Sequence, residues 1–106
     1  MAQAEAAGYR LTPRALADLG EIWRYSAETL SVTQADQHVD ALAQRFAMIA
    51  AMPGLAQERP EFIPPVRIHV HEGLLVIYRL AGGEAVILRL LGARQDWRAI
   101  LAAAES

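Results

Sequence analysis

Arginine and histidine side chains punctuate three runs in the second half of the chain that are otherwise rich in Val, Ile and Leu. His69 and His71 stand two residues apart, a spacing at which two imidazoles on one strand face could bind a metal ion. The sequence places no third ligand near them, so we interpret the pair as part of an exposed strand face and expect no metal. Arg67, Arg79 and Arg89 could bind a phosphate or an acidic partner, because a guanidinium donates paired hydrogen bonds to such groups.

Length and composition limit the classes of function. The 106 residues suffice for one domain with a single core. Cysteine is absent, which excludes disulfides and thiolate metal sites and favours a reducing compartment, so we expect the cytoplasm. The net charge of −2 disfavours electrostatic binding of nucleic acid by the chain as a whole. Met1–Gly8 lacks the features of a signal peptide and is expected to fray, and no apolar run reaches the ~18 residues of a membrane span.

The three apolar runs predict three antiparallel strands. They are Val66–His71, Leu74–Leu80 and Ala85–Leu91, separated by the turn signals Glu72-Gly73 and Gly82-Gly83. Two-residue turns would pair Ile68 with Ile77 and Arg67 with Tyr78, and then Leu88 with Ile77 and Arg89 with Val76. The resulting core face carries Val66, Ile68, Val70, Leu75, Ile77, Val86, Leu88 and Leu90, with Arg79 as its polar member. The opposite, mixed face carries Arg67, His69, His71, Val76, Tyr78, Ile87 and Arg89.

Two helices precede these strands. Tyr9–Thr12 alternates like a short edge strand, and Thr12-Pro13 is a favourable start for a helix that extends to Leu30. Its apolar stripe is Leu16, Leu19, Trp23, Ala27 and Leu30. Ser31 is suited to cap a second helix, which ends at Met52-Pro53-Gly54 and has the stripe Val39, Leu42, Phe46 and Ile49. We expect the two helices to form a hairpin that covers the core face of the sheet.

The rest of the chain predicts a stiff loop and a short last helix. Leu55–Pro65 contains three prolines, and Asp96 could cap a helix over Trp97–Ala103. The expected architecture is therefore α+β: an N-terminal strand, a helical hairpin on an antiparallel sheet, and a short C-terminal helix, all in one domain over residues 1–106.

This order of elements resembles the RelE/ParE toxin superfamily, and several local sequences resemble its ParE branch. They are Leu11-Thr12-Pro13-Arg14-Ala15, Met52-Pro53-Gly54, Val76-Ile77-Tyr78-Arg79, and Arg89-Leu90-Leu91 followed by Arg94 and Asp96-Trp97. The resemblance extends over Tyr9–Leu101. It implies a toxin of a type II toxin–antitoxin module, which causes growth arrest, stabilises a plasmid or genome, and is neutralised within a hetero-oligomer by a cognate ParD-like, ribbon-helix-helix antitoxin. ParE toxins inhibit DNA gyrase, whereas RelE-like relatives cleave mRNA on the ribosome.

One departure from the family bears on catalysis. Relatives often carry His just after the last strand, where this chain has Gly92. RNA cleavage requires proton transfer and cationic stabilisation of the phosphate. A nuclease would therefore have to use Arg67, His69, Tyr78 and Arg89. We therefore favour inhibition of gyrase by binding, without a cofactor. The alternatives are a ribosome-dependent endoribonuclease, or a degenerate toxin that retains only antitoxin binding.

The binding surfaces can be assigned in the same way. We expect the target to bind Arg67, Arg89, Arg94, Asp96 and Trp97, and the antitoxin to bind Trp23, Leu30, Val39 and Phe46. Because Arg67 and Arg89 share the face that the core does not need, we expect toxicity, and not folding, to depend on them.

Overall fold

A computed structural model describes residues 8–105, so the expected fraying of residues 1–7 lies outside the described part. The strands are β1 (Tyr9–Leu11), β2 (Glu58–Arg59), β3 (Val66–His71), β4 (Leu74–Ala81) and β5 (Glu84–Gly92). The helices are α1 (Pro13–Thr29), α2 (Val32–Ala51) and α3 (Trp97–Glu105), with a 3-10 turn at Pro53–Leu55. None of the described helices is long and apolar enough to cross a membrane.

The helix boundaries follow from local hydrogen bonding. Thr12 Oγ1 accepts the Ala15 N–H at 3.1 Å and caps α1, and Ser31 Oγ accepts the Gln34 N–H at 3.0 Å and caps α2. Helix α2 stops before Pro53, whose ring cannot continue a helix. Both predicted starts are confirmed, and so is the hairpin of α1 and α2.

The sheet has five strands in the order β1-β5-β4-β3-β2. Strand β1 is an edge strand as predicted, but it pairs with β5 in parallel, so the sheet is mixed and not purely antiparallel. Strand β2 occupies part of the segment predicted to be a loop and pairs only with Arg67 and Val66. The Gly8 carbonyl, just before β1, accepts the Ala85 N–H at 3.0 Å.

The first predicted register is confirmed and the second is wrong. Both turns contain two residues with positive φ, and Arg67 pairs with Tyr78 as expected. Between β4 and β5, however, a β-bulge leaves Leu88 without a partner, and Ile77 pairs with Arg89. The Thr12 hydroxyl donates to the Leu88 carbonyl at 2.9 Å, so the residue that caps α1 also supplies a hydrogen-bond donor to the bulged residue.

Both faces of the sheet are covered, and the hairpin lies on the face opposite to the one predicted. The hairpin residues Leu42, Phe46 and Ile49 pack against Val76, Tyr78 and Ile87 of the predicted mixed face, and also against Ala85 and Leu90. Helix α3 covers the predicted core face, where Leu101 packs with Val66, Leu75 and Ile77. Leu91 lies on this face in place of the predicted Leu90, because the bulge shifts the alternation of β5. The prediction failed because both faces of the sheet are apolar. The pattern of apolar residues indicates that a face is buried, but not whether the hairpin or α3 covers it.

Helix α1 is rotated relative to its predicted stripe. Ala15 and Ser26 are buried, and Leu19 and Ile22 pack against the core, whereas Leu16 is 57% exposed. Leu19 belongs to the predicted stripe, whereas Ala15 and Ser26 each precede a predicted position, Leu16 and Ala27, by one residue. The stripe Leu16, Trp23 and Leu30 is therefore left on the outer flank of the hairpin.

Candidate functional site

Arg89 on β5 forms an ion pair with Asp18 on α1. Arg89 Nε donates to Asp18 Oδ2 at 2.8 Å, and Nη2 donates to Oδ1 at 3.0 Å. Two parallel hydrogen bonds of this kind strengthen an ion pair between arginine and a carboxylate. Asp18 Oδ2 also accepts the backbone N–H of Leu90 at 2.9 Å, beside the bulge. The hydrogen bond to Asp18 raises the pKa of Arg89. With side-chain exposures of 13% and 15%, the pair is largely buried, so we expect folding to depend on Arg89, in contrast to the prediction from the sequence.

Tyr78 and Arg67 also have structural partners. Tyr78 is fully buried, its hydroxyl donates to the Pro53 carbonyl at 2.8 Å, and burial raises its pKa. Its proposed part in RNA cleavage is therefore corrected, because an inaccessible phenol cannot reach a substrate. Arg67 is half-buried, and its Nη1 donates to the Ala56 carbonyl at 2.6 Å. Arg67 thereby ties the segment after α2 to β3.

The two histidines of β3 lie under the hairpin, so the interpretation as an exposed strand face is wrong. His69 and His71 pair with Val76 and Leu74, which belong to the face covered by the hairpin. Both Nε2 atoms are buried without a hydrogen-bond partner. Burial lowers the pKa of His69, and Arg45 and His71 lower it further. Among residues 8–105, no group of three or more His, Cys, Asp or Glu side chains could hold a metal ion.

Trp97 begins α3 within a cluster of aromatic and charged side chains. The Arg98 guanidinium lies 4.6 Å from the Trp97 ring centroid and the Arg59 guanidinium lies 5.9 Å from it. The Phe62 and Trp97 rings are 6.1 Å apart. Glu61 Oε2 is 2.9 Å from Arg59 Nε and 3.7 Å from Arg98 Nη1. Since cation–π and ion-pair contacts reinforce one another here, this cluster fixes α3 to the loop before β3.

Arg94 and Asp96 are exposed in the turn between β5 and α3. Arg94 lines an open groove between α1 and this turn, together with Arg89 and Tyr25, which is 70% exposed. The Asp96 carbonyl accepts the Ile100 N–H at 3.1 Å, so Asp96 immediately precedes the first turn of α3. Arg67 lies near the other end of β4, where it pairs with Tyr78. The five residues predicted to bind the target thus do not form one continuous site.

Three of the four predicted antitoxin residues are at least partly exposed, and two of them, Trp23 and Leu30, lie on the outer flank of the hairpin. Leu30 is 64% exposed, and Trp23 and Val39 are half-buried. Trp23 Nε1 donates to Asp36 Oδ1 at 2.8 Å and so links α1 to α2. Phe46 is the exception, because it is 2% exposed and packs against Tyr9 with ring centroids 5.6 Å apart. Its predicted contact with an antitoxin is corrected to a role in the core.

Comparison with known proteins assigns a family to this arrangement. Residues 9–97 match the family described as ParE toxin of type II toxin-antitoxin system, parDE. The chain belongs to the ParE toxin family. It is 36% identical to Toxin ParE1 of Caulobacter vibrioides over 93 residues, which are 88% of this chain and 96% of that protein. Toxin ParE3 of the same organism is 31% identical over 84 residues, covering 79% of this chain and 84% of the relative.

A solved structure confirms the fold of this ParE-family toxin. The structure described as "Chromosomal ParDE TA system from P. aeruginosa" superposes with a TM-score of 0.71 at 22% identity. The match covers 82% of this chain and 96% of that chain. The resemblance to ParE toxins and the α+β architecture expected from the sequence are therefore both confirmed.

Sequence reasoning missed Asp18, which in this ParE-family toxin connects α1 to the bulge of β5. A charged residue on an amphipathic helix ordinarily faces solvent. The bulge beside the Leu90 N–H has no signature in the sequence, so nothing indicated that this carboxylate turns inward. Glu61 was missed because the loop that carries it was predicted only to be stiff.

Proposed function

We propose that this toxin arrests growth by binding DNA gyrase, and that a ParD-like antitoxin on the α1–α2 hairpin neutralises it. Membership of the ParE family supports gyrase, because inhibition of gyrase is the usual action of ParE toxins. Both partners would place the toxin in the cytoplasm. The proposal makes the toxin an inhibitor that acts by occupying a surface of its target, without catalysis or a cofactor.

The state of the four candidate cleavage residues favours binding over RNA cleavage. Tyr78 is buried and bonded to Pro53, and Arg89 is paired with Asp18. Arg67 donates to a backbone carbonyl, and His69, whose pKa is lowered by burial, has a buried Nε2. Cleavage needs an accessible proton-transfer group beside the phosphate, and neither Tyr78 nor His69 presents one.

The outer flank of the hairpin supports the antitoxin site. Leu16 and Leu30 are more than half exposed and share one line of α1 with Trp23. Exposed apolar side chains of this kind can bind the apolar face of an amphipathic helix, and a disordered segment gains order as it binds. The ribbon-helix-helix part of the antitoxin would remain outside this contact, and the two proteins would form a hetero-oligomer.

The target can be tested with purified components. The toxin, released from co-expressed antitoxin, is added to DNA gyrase, and negative supercoiling of a relaxed plasmid is followed. We expect inhibition, and its reversal when the antitoxin is returned. Primer extension on abundant transcripts after induction in cells tests the alternative. Codon-linked cuts in translated mRNA, with supercoiling unaffected, would replace the gyrase proposal by ribosome-dependent cleavage.

The antitoxin surface can be tested by one charge substitution and a matched control. Leu30→Glu places a carboxylate on the outer flank of the hairpin, and Leu55→Glu makes the same change at a site of similar exposure outside it. We expect Leu30→Glu to abolish co-purification of the antitoxin while leaving the thermal transition of the toxin unchanged. Leu55→Glu should co-purify normally. Equal retention of antitoxin by both variants would move the contact away from the hairpin.

A further inference from the structure

A small cavity at the end of the sheet contains two arginines that have no carboxylate partner. Its volume is ≈ 160 Å³, and its lining consists of Glu58, Pro64, Pro65, Arg67, Arg79 and Leu80. Arg10, Arg24, Arg59, Arg89 and Arg98 each form an ion pair. Within the described part of the chain, neither arginine of the cavity has an ion pair within 4.0 Å. Two arginines without an ion pair therefore line one recess, which has Glu58 as its third charged residue.

Arg67 is oriented before any ligand arrives. The hydrogen bond from its Nη1 to the Ala56 carbonyl fixes one end of the guanidinium and leaves its other donors available. Arg79 follows Tyr78, the partner of Arg67, and therefore projects from the opposite face of β4, but both arginines lie near the end of the sheet and line the same cavity there. A guanidinium that is already held in place loses less conformational entropy when it binds an anion.

Three of the six residues that line the cavity are apolar. Pro64 and Pro65 contribute rigid rings without N–H donors, and Leu80 is 42% exposed. Ile63, which precedes the prolines, is 85% exposed. Exposed aliphatic side chains around a cationic recess are a feature of protein-binding surfaces.

We propose that this cavity binds the carboxylate of an Asp or Glu side chain presented by a partner polypeptide, through Arg67 and Arg79. The proposal rests on the proposed function in one respect, namely that the toxin acts by binding another protein. Paired N–H donors of arginine match the geometry of a carboxylate, and the proline and leucine walls match the methylene stem of an acidic side chain. An aliphatic residue of the partner beside the acidic one would contact Ile63.

The charge of Glu58 and the net charge of the chain both favour a single carboxylate over a nucleic-acid backbone as the ligand. Glu58 lines the cavity, and a run of phosphates would approach it as well as the arginines. The net charge of −2 for the chain adds no long-range attraction for a polyanion. One carboxylate can bind the arginines directly while the partner remains clear of Glu58.

A titration of the full-length toxin tests the site with a defined probe, glutamate blocked as its N-acetyl and N-methylamide derivative. The Nε–H signals of the ¹⁵N-labelled arginines are followed by NMR at constant ionic strength. We expect saturable shifts of the Arg67 and Arg79 signals. Arg14, which is exposed on α1 and forms no ion pair with the described residues, is the internal control and should not shift. Equal shifts at all three arginines, or none, would overturn the proposal.

Three variants and one competing anion sharpen the test. Arg79→Gln should raise the Kd of the probe about fivefold or more, and Arg14→Gln should leave it unchanged, since losing ~1 kcal/mol of charge interaction corresponds to about that factor. Glu58→Gln should lower the Kd, an effect that misfolding cannot imitate. A lower Kd for inorganic phosphate than for the blocked glutamate would overturn the assignment to a carboxylate and favour a phosphate ligand.

The titration requires neither gyrase nor antitoxin, so the two proposals fail separately. Absence of saturable shifts removes the carboxylate site even where gyrase is inhibited. A toxin that binds the probe as expected but leaves supercoiling intact keeps the site and loses gyrase as the partner.

Discussion

Asp18 satisfies three donors, two from the Arg89 guanidinium and one from the Leu90 backbone. A half-buried guanidinium and a backbone N–H displaced by a bulge would each be costly without a partner. One carboxylate on α1 therefore fixes the helix to β5 at the point where the strand pairing is irregular. This makes the ion pair a determinant of how the hairpin docks on the sheet.

We predict that Asp18→Ala lowers the free energy of unfolding by about 3–5 kcal/mol, because it leaves Arg89 without its counter-ion in a largely buried position. Asp18→Asn should cost less, since the amide oxygen can still accept the Leu90 N–H. Urea denaturation measures both. Glu21→Ala, which removes an exposed pair with Arg24, is the control and should cost under about 1 kcal/mol. Equal stability of Asp18→Ala and Glu21→Ala would contradict this account.

We predict that the free energy of unfolding of the toxin decreases as the pH is lowered below 6.5, the ordinary pKa of histidine. His69 contributes part of this decrease. Burial, Arg45 and His71 lower the pKa of His69, so below pH 6.5 the unfolded chain binds a proton that the folded protein does not. Above 6.5 both states are neutral and the contribution vanishes. The slope from one such group is at most about 1.4 kcal/mol per pH unit. His69→Gln should reduce the slope of urea stability between about pH 7.5 and 5.5, and an identical slope would contradict the prediction.

The residue types at the site were foreseeable and their environments were not. Arginine, histidine and tyrosine in an apolar strand were recognisable as candidates for phosphate chemistry. Whether Arg89 is free or paired depends on Asp18, 71 residues away in the chain. Such a long-range partner is set by helix docking, and no local pattern encodes it.

At the scale of elements, α3 depends on a few side chains at its start. Leu101 is buried in the sheet, and Trp97 contacts Phe62 and the arginines on either side of it. Helix α3 is nine residues long, too short to be stable in isolation, so these contacts determine whether it forms.

We predict that Trp97→Ala lowers the free energy of unfolding by about 2–3 kcal/mol, less than for a fully buried aromatic residue because Trp97 is half-buried. Arg98→Ala removes the cation–π contact but leaves the ring packed, and should cost only about 0.5–1 kcal/mol. Hydrogen exchange of the α3 amides is the measurement, with faster exchange expected for Trp97→Ala. Unchanged exchange would mean that Leu101 alone fixes the helix.

The elements themselves were largely predictable. Thr12 and Ser31 are strong caps, Pro53 ends a helix, and Glu72-Gly73 requires a tight turn. These signals are local, so the element boundaries followed from the sequence. The assignment of sheet faces failed at Leu88, where one inserted residue reverses the inward and outward alternation of the rest of β5.

At the scale of the whole molecule, the sheet is a shared core with helices on both sides. Residues of both sheet faces are buried, including Val76 and Ile87 under the hairpin and Leu75 and Ile77 under α3. The surfaces left for partners are therefore the outer flank of the hairpin, the groove beside Arg94, and the cavity of Arg67 and Arg79. The cavity of Arg67 and Arg79 shares no lining residue with the groove beside Arg94, so a toxin could use the two for separate contacts.

The last prediction joins stability to antitoxin binding. Phe46→Ala should lower the free energy of unfolding of the toxin by about 3–5 kcal/mol, because Phe46 is 2% exposed in the core beneath the hairpin. That is a large part of the ~5–15 kcal/mol available to a domain. An antitoxin present at about 100 times its Kd would add back ~2.7 kcal/mol, since it binds the folded toxin and not the unfolded chain. We therefore expect antitoxin to raise the melting temperature of Phe46→Ala substantially.

Leu30→Glu separates the two contributions. Its side chain lies outside the core, so the toxin alone should melt as the parent does, and antitoxin should not raise that temperature. Thermal denaturation of each variant with and without antitoxin measures both effects. If antitoxin stabilises Leu30→Glu as much as the parent and leaves Phe46→Ala unprotected, then the antitoxin depends on the packing of the hairpin and not on its outer flank.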